Sequence, residues 1–179
     1  MKNLILLIFI TLFQSINAQV DNEFSIFHRL LVFNSQNELL IVNIENTNLW
    51  VTPGLYQDKE QTIKNRLNNI ASTYGIELTD IKLKGTFILK RDLNGKHSTS
   101  LRHIYTAKIQ GDAEKTPNGI AKIKWLSPTQ AMEKITFPHI NEMIKQIIIN
   151  PNEIWGGTLL QYKENDIWKT KVLENFYTL

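Results

Sequence analysis

The sequence contains no cysteine, which excludes a disulfide framework, a thiolate nucleophile and a cysteine-ligated metal centre. It also lacks an internal repeat, a low-complexity tract and a long run of charges of one sign. Lysines and acids are mixed along the chain and the formal net charge is only +3, so we expect no nucleic-acid partner. The four histidines do not have the spacing of a metal site; they are His28, His97, His103 and His139.

One stretch, residues 4–13, is an apolar run with Thr11 as its single polar residue. Lys2 gives it a positive start, and a short polar segment that ends at Ala18 follows it. This three-part layout is typical of a secretory signal peptide over residues 1–18, and the apolar run is too short to span a bilayer. We therefore expect an exported protein, periplasmic or secreted, that begins near Gln19 and has no membrane association after cleavage.

The remaining residues, 19–179, have the length of one domain with its own core. Apolar periodicity, turn residues and helix caps divide this domain into strands and helices. We predict strands in a hairpin over 24–44 with its turn at 34–37, in a pair over 81–91 and 101–109, over 121–126, and in a final hairpin over 152–179. We predict helices over 58–74, from Ser127–Pro128 to Ile135, and from 138 to the residue before Pro151.

Hairpins dominate this order of elements, with helices between them, so we predict an α+β fold with a mostly antiparallel sheet. The helix over 58–74 has Asp58 near its predicted start and Gly75 as its stop. Its apolar residues recur at helical spacing and form one stripe; they are Ile63, Leu67, Ile70, Ala71 and Tyr74.

The segment around this helix contains a pattern of fixed spacing. A W-x-x-P-G sequence at 50–54 comes first, Glu60 lies six positions after Gly54, and Gly-Ile at 75–76 closes the pattern. The pattern resembles the Nudix hydrolase superfamily, whose box reads G-x5-E-x7-R-E-U-x-E-E-x-G-U, where U is a bulky aliphatic residue. The resemblance implies a Nudix-like α/β/α sandwich with a mixed, mostly antiparallel sheet. It covers roughly residues 27–149, and the hairpin over 152–179 is an extension outside it.

The sequence departs from the box where the box is charged. The Arg-Glu pair is replaced by Asn68-Asn69, and Ser72-Thr73 stand where Glu-Glu is expected. In the family, carboxylates at such helical spacing gather on one side of the helix and hold Mg²⁺, which prefers hard, charged oxygen ligands. Neutral side chains hold that ion far more weakly. We therefore expect no cofactor and no metal ligand among these positions.

The resemblance nevertheless leaves five candidate site residues. Glu60 is the only box acid that is retained, which makes it the candidate catalytic residue. The ligand-binding candidates are Trp50, Gly54, Tyr56 and Arg66. Two of these have a plainer interpretation, since Arg66 can be a solvated helix residue and Trp50 can be part of the core.

Three functions stay open at this point. The first is a non-catalytic, exported module that binds a phosphorylated or anionic small molecule. The second is an active Nudix-type hydrolase of a nucleoside diphosphate derivative or other phosphorylated compound, with Mg²⁺ held by relocated acids such as Asp58, Asp112 or Glu114. The third is a structural or interaction protein that meets a protein partner through the aromatic C-terminal hairpin. We predict the first of these.

Overall fold

The computed structural model describes residues 24–109, 113 and 115–179. The predicted signal peptide over 1–18 lies outside the described residues, and so do Asp112 and Glu114. The described strands are β1 Phe24–Phe33, β2 Leu39–Ile44, β3 Trp50–Val51, β4 Gly54–Tyr56, β5 Leu78–Leu93, β6 Lys96–Ile109, β7 Ile120–Leu126, β8 Trp155–Glu164 and β9 Ile167–Thr178. The described helices are α1 Ile63–Thr73, α2 Pro128–Lys134 and α3 Pro138–Ile149.

These strands form one open sheet in the order β3-β2-β1-β6-β5-β8-β9, with β4 paired to β1 and β7 paired to β2. The β1–β6 and β5–β8 pairs are parallel, and the other pairs are antiparallel. The architecture is therefore the predicted α+β sandwich with a mixed, mostly antiparallel sheet. The two short strands β3 and β4 were not predicted, and the strands β5 and β6 extend beyond their predicted bounds.

Each face of the sheet has its own hydrophobic cluster because side chains alternate along a strand. On one face, Leu30 and Val32 of β1 belong to the cluster that contains Leu67, Ile70 and Ala71 of α1. The other face is covered mainly by α3. There Leu31 of β1 belongs to the cluster that contains residues of α3 at helical spacing; these are Ile140, Met143, Ile144 and Ile147.

Helix α1 begins later than the sequence predicted. Thr62 is its N-cap, and its hydroxyl accepts a hydrogen bond of 3.2 Å from the backbone N–H of Asn65. Asp58 lies in the preceding loop instead, where its carboxylate accepts from the backbone N–H of Glu60 at 3.1 Å. A start at 58 is thus wrong, because Thr62 satisfies the donors of the first turn. Gly75, with φ of 70°, ends the helix as predicted.

The other predicted helices are confirmed. Ser127 and Gln130 form a capping box at the start of α2, with Pro128 as its first residue. Helix α3 likewise starts at Pro138, whose missing N–H is harmless at a first helical position. None of the helices in the described part of the chain has the length and apolarity of a membrane span.

The C-terminal hairpin continues the sheet beyond β5. It turns at Asn165-Asp166, both with positive φ, and Trp155 and Phe176 pack against the cluster under α3. The hairpin end of the chain still exposes several large apolar side chains; they are Ile167, Val172, Leu173, Tyr177 and Leu179. A protein partner at this surface stays a prediction.

Candidate functional site

Three arginines converge on the sheet face that α3 covers. Arg29 lies on β1, Arg102 on β6 and Arg91 on β5, which are neighbouring strands in the sheet. Their side chains lie on one face of the sheet, because residues an even number of positions apart on a strand share a face and so do paired residues on neighbouring strands. Arg102 is paired with Phe27, which lies two positions before Arg29, and Arg91 is paired with Ser98, which lies four positions before Arg102. An arginine on the inner face of a central strand is unusual, since charged side chains are almost never fully buried without a partner.

Arg102 is the innermost of the three, with 2% of its surface exposed. Its Nε donates to the hydroxyl of Ser100 at 2.9 Å, and Ser100 donates in turn to the carbonyl of Leu89 at 3.4 Å. Its Cζ lies 4.6 Å from the ring centre of Phe27 and 5.7 Å from that of Tyr56. The Nη2 group is buried and has no hydrogen-bond partner among the described residues.

Arg29 is held from the loop between β3 and β4. Its Nη1 donates to the carbonyl of Thr52 at 2.9 Å and to the Thr52 hydroxyl at 2.8 Å. Its Nε is buried and, within the described chain, lacks a partner. Arg91 is half-buried and donates from Nε to the amide oxygen of Gln161 on β8 at 3.0 Å. All three guanidinium groups are therefore fixed by neutral acceptors.

In the described part of the chain, no carboxylate compensates these charges. Among the described residues, none of the ion pairs involves Arg29, Arg91 or Arg102. Burial and the charges of Arg102 and Arg91 lower the pKa of Arg29 to about 9. Burial and the charge of Arg91 lower the pKa of Arg102 to about 10. The cluster thus stays positive at neutral pH while its members repel one another.

Aromatic side chains complete the wall around the arginines. The rings of Phe27 and Tyr56 meet edge to face, 4.9 Å between centres. Burial opposes ionisation of Tyr56, but the charges of Arg102 and Arg91 more than compensate and lower its pKa. A cavity of about 290 Å³ is lined by these groups and the neighbouring loop. Its lining includes Phe27, Arg29, Thr52, Gly54, Tyr56, Arg91, Arg102 and Phe137. We call this space the arginine pocket.

A network of side-chain hydrogen bonds connects the loop before α1 to that helix. Gln61 is its centre, since its amide oxygen accepts from Arg66 Nη1 at 3.2 Å and from Asn69 Nδ2 at 3.1 Å. Arg66 also donates from Nε to the carbonyl of Tyr56 at 2.6 Å. The amide oxygen of Gln57 accepts from His28 Nε2 at 2.7 Å. This network ties α1 to the strand that presents Tyr56.

The α1 positions that correspond to the box acids do not form a magnesium site. The Ser72 hydroxyl donates to the carbonyl of Asn69 at 3.1 Å, and the Thr73 hydroxyl donates to that of Ile70 at 2.7 Å. Asn69 is bound to Gln61 through its amide nitrogen. The two hydroxyls are thus used inside their own helix, and none of the three is a charged oxygen. These residues do not fit Mg²⁺.

The structure places the five candidate site residues at different locations. Gly54 and Tyr56 line the arginine pocket. Arg66 contacts that site through the backbone carbonyl of Tyr56, and Glu60 is exposed in the loop before α1. Trp50 is half-buried on β3, with Lys134 Nζ 4.7 Å from its ring centre. Their roles in ligand binding or catalysis stay predictions.

Sequence reasoning missed the three arginines, although a signal was present. Arg29 stands inside the apolar stretch HRLLVF, and Arg102 stands inside LRHIY. A charged residue in phase with the buried side of a strand is a reason to expect a site. The three arginines are far apart in the sequence and form no basic run, so clustering of positive charge along the chain does not reveal them.

Searches by sequence give no match, either to a protein-family model or to a curated protein. Solved structures, by contrast, share the fold. The mutator MutT protein from Bacillus halodurans is 17% identical with a TM-score of 0.67, over 86% of this chain and 96% of that one. The Nudix hydrolase from Nitrosomonas europaea is 15% identical with a TM-score of 0.57, over 70% of this chain and 88% of that one.

A third similar structure is the dihydroneopterin triphosphate pyrophosphohydrolase of E. coli. It is 9% identical with a TM-score of 0.53, over 70% of this chain and 95% of that one. Identities this low establish the fold alone. The chain therefore has a Nudix hydrolase-like fold, which confirms what the box spacing between Gly54 and Ile76 predicted.

Proposed function

We propose that this protein is a module that binds an anionic, phosphorylated small molecule in the arginine pocket, without metal-dependent catalysis. One observation carries the proposal: three converging arginines, two of them buried, have no acidic partner among the described residues. Leaving buried charges unpaired costs several kcal/mol per ion by order of magnitude. A bound ligand that supplies the missing negative charge offsets this cost. The apolar leader supports export as part of the proposal.

The donors of the pocket suit an oxyanion. Arg102 Nη2 and Arg29 Nε are buried N–H groups without a partner in the described chain, and guanidinium groups match the oxygens of phosphate and carboxylate. The neutral contacts to Thr52, Ser100 and Gln161 hold the guanidinium groups in place before a ligand arrives. Less ordering is then needed on binding, which favours affinity.

The chemistry of the α1 face supports the non-catalytic part. Hydrolysis by the family mechanism needs Mg²⁺ beside the phosphate oxygens, whereas Asn69, Ser72 and Thr73 are neutral and engaged in other hydrogen bonds. No group of three or more histidine or acidic side chains in the described residues could hold a metal ion.

The test is calorimetric titration of the protein with inorganic phosphate and pyrophosphate. Arg102→Gln should weaken binding about tenfold or more, because a charge-assisted hydrogen bond contributes about 1.5–3 kcal/mol. Lys90→Gln is the matched control, since Lys90 is exposed and adjoins Arg91 on the other face of β5. Equal losses in both variants, or no binding of either anion, would contradict the arginine pocket as the site.

A second measurement addresses the hydrolase alternative. Phosphate release from nucleoside diphosphate derivatives is followed with Mg²⁺ or Mn²⁺ present, and we expect no turnover. Turnover that falls in Glu60→Gln would instead establish a hydrolase whose metal ligands have moved.

A further inference from the structure

A second cavity adjoins the arginine pocket. Its volume is about 650 Å³, and it shares two lining residues, Tyr56 and Arg91, with the arginine pocket of about 290 Å³. Two spaces with common walls lie side by side. We call the second space the outer groove. A bound anion at the arginines therefore has open space next to it.

The outer groove has a mixed surface. Its wall on one side is Tyr56, whose side chain is large, aromatic and 44% exposed. The remaining lining combines small polar, amide, charged and apolar groups; it consists of Phe24, Ser25, Ile26, Gln57, Asp58, Lys59, Arg91 and Ser98. A flat ring stacked on Tyr56 would cover apolar surface here while its polar edge remained in water.

We propose that the ligand is a phosphate monoester whose phosphoryl group enters the arginine pocket and whose planar organic body lies in the outer groove against Tyr56. This inference rests on the proposed function. It adds the chemical class of the ligand, the orientation in which it binds and the residues that contact each of its parts.

The charge of the pocket selects phosphoryl over carboxyl. Arg29, Arg91 and Arg102 present three positive charges, and the described ion pairs include none of them. A phosphate monoester carries about −1.5 to −2 at neutral pH and three acceptor oxygens, whereas a carboxylate carries −1 and two oxygens. The monoester therefore neutralises more of the cluster and satisfies more of its free N–H groups.

The size of the site indicates an organic body. Pockets for small organic ligands typically have about 300–1,000 Å³, and the arginine pocket and outer groove together fall in this range. The stacking wall is also fixed: Arg66 Nε donates to the Tyr56 carbonyl at 2.6 Å, and Phe27 meets the Tyr56 ring edge to face. Stacking of a ring on an aromatic side chain contributes about 1–3 kcal/mol.

Two serines keep the outer groove open. Ser25 on β1 and Ser98 on β6 both line it, and their positions opposite Ser100 and Arg91 place them on the same sheet face as Arg102. Ser98→Trp should fill the groove beside Arg91, its partner across the β5–β6 pair. Ser98 lies four residues before Arg102 on β6, away from the buried guanidinium donors of Arg29 and Arg102. Thr99→Trp is the matched control, because it adds the same volume to the same strand on the opposite face. Ser25→Trp repeats the blockade from β1 if Ser98→Trp does not fold.

The experiment is calorimetric titration with inorganic phosphate, phenyl phosphate and benzoate. Phenyl phosphate should bind the wild-type protein about tenfold more tightly than inorganic phosphate, and benzoate should bind most weakly. Ser98→Trp should remove the tenfold advantage and leave the affinity for inorganic phosphate within about twofold. Thr99→Trp should change neither affinity.

Each of the remaining outcomes of these titrations would contradict a particular part of the proposal. If phenyl phosphate binds no more tightly than inorganic phosphate, or keeps its advantage in both blocking variants, the outer groove does not hold the body and this inference is wrong, while the proposed function stands. If benzoate binds more tightly than phenyl phosphate, the phosphoryl assignment is wrong. If none of the three anions binds, the proposed function itself is overturned.

Discussion

The guanidinium carbon of Arg102 lies 4.6 Å from the ring centre of Phe27, its partner across the parallel β1–β6 pair. The cation therefore faces the negative side of an aromatic quadrupole where a stable domain usually has a carboxylate. Such a contact holds the guanidinium without neutralising it. Arg102 remains fixed and positive at the same time, which is the state that recognition of an oxyanion requires.

Arg102→Met should make the unliganded protein more stable. The methionine side chain fills similar space beside Phe27, and the variant relieves the repulsion that, together with burial, lowers the pKa of Arg102 to about 10. Against this gain stand the lost contacts to Ser100 and Phe27. We expect a net increase of about 1 kcal/mol in the free energy of unfolding, measured by urea denaturation without phosphate.

The same variant should no longer be stabilised by phosphate. A ligand that binds only the folded state raises the unfolding free energy by an amount that grows with the logarithm of its concentration divided by its Kd. Added phosphate should therefore stabilise the wild-type protein but not Arg102→Met, and at sufficient concentration the wild-type protein becomes the more stable of the two. A destabilised Arg102→Met protein would show that Arg102 serves the core and not a ligand.

Gly54→Ala should disrupt the wall of the pocket. A Cβ at position 54 would lie 2.5 Å from Phe27 Cε1 and 2.7 Å from the carbonyl oxygen of His28, both closer than van der Waals contact. Either β4 separates from β1 or the Phe27 ring leaves its place under Arg102. We expect a loss of about 1–3 kcal/mol in unfolding free energy, as for overpacked cores, and weaker phosphate binding. Urea denaturation and calorimetry measure the two effects.

Normal stability in Gly54→Ala would mean that β1 and β4 can separate without cost. The pocket would then be less rigid than its contacts indicate.

The fold could be predicted from the sequence because its signals are local. The turn at 34–37, the helix start at Ser127–Pro128 and the apolar stripe on α1 each lie within a few residues. The structure has the turn and the helix start as predicted, and Leu67, Ile70 and Ala71 of the stripe are buried. The strands β3 and β4 were missed because two or three residues carry no periodicity. What places them is their pairing with β2 and β1.

The candidate site was harder to predict because it is not local. Arg29, Arg91 and Arg102 are brought together only by the strand order β1-β6-β5, which no sequence period reveals. The motif around Gly54 led to a loop that lines the arginine pocket, to which Gly54 and Tyr56 both contribute. It also led to α1, where an amide network centred on Gln61 occupies the side chains.

Restoring the box acids should create a metal site. Asn69→Glu, Ser72→Glu and Thr73→Glu place carboxylates at i, i+3 and i+4 on exposed positions of α1, where the substitutions are tolerated. We expect the triple variant to bind Mn²⁺ at least about tenfold more tightly than the wild-type protein does, measured by calorimetry. Equal Mn²⁺ affinity in both proteins would show that the backbone of α1 no longer has the geometry of a metal-binding helix.

Acid should destabilise the protein through its buried histidines. Burial, followed by the charges of Arg29, Arg102 and Arg91, lowers the pKa of His139 well below its usual value. Burial is also the main cause that lowers the pKa values of His28 and His103. The unfolded chain therefore binds protons first as the pH falls through about 6.5. Stability should be nearly constant between about pH 7 and pH 8, where neither the histidines nor the arginines titrate, and should decrease below about pH 6.5.

Urea denaturation at pH 7.5, 6.5 and 5.5 measures this decrease. Each buried histidine that stays neutral while its unfolded counterpart is protonated adds a slope of up to about 1.4 kcal/mol per pH unit. His139→Leu, which replaces a side chain with 3% exposure, should reduce the slope by up to one such contribution. His97→Gln is the control, since it removes an exposed histidine instead of a buried one. A slope that His139→Leu does not alter would mean that His139 is protonated in the folded protein despite the three arginines that face it.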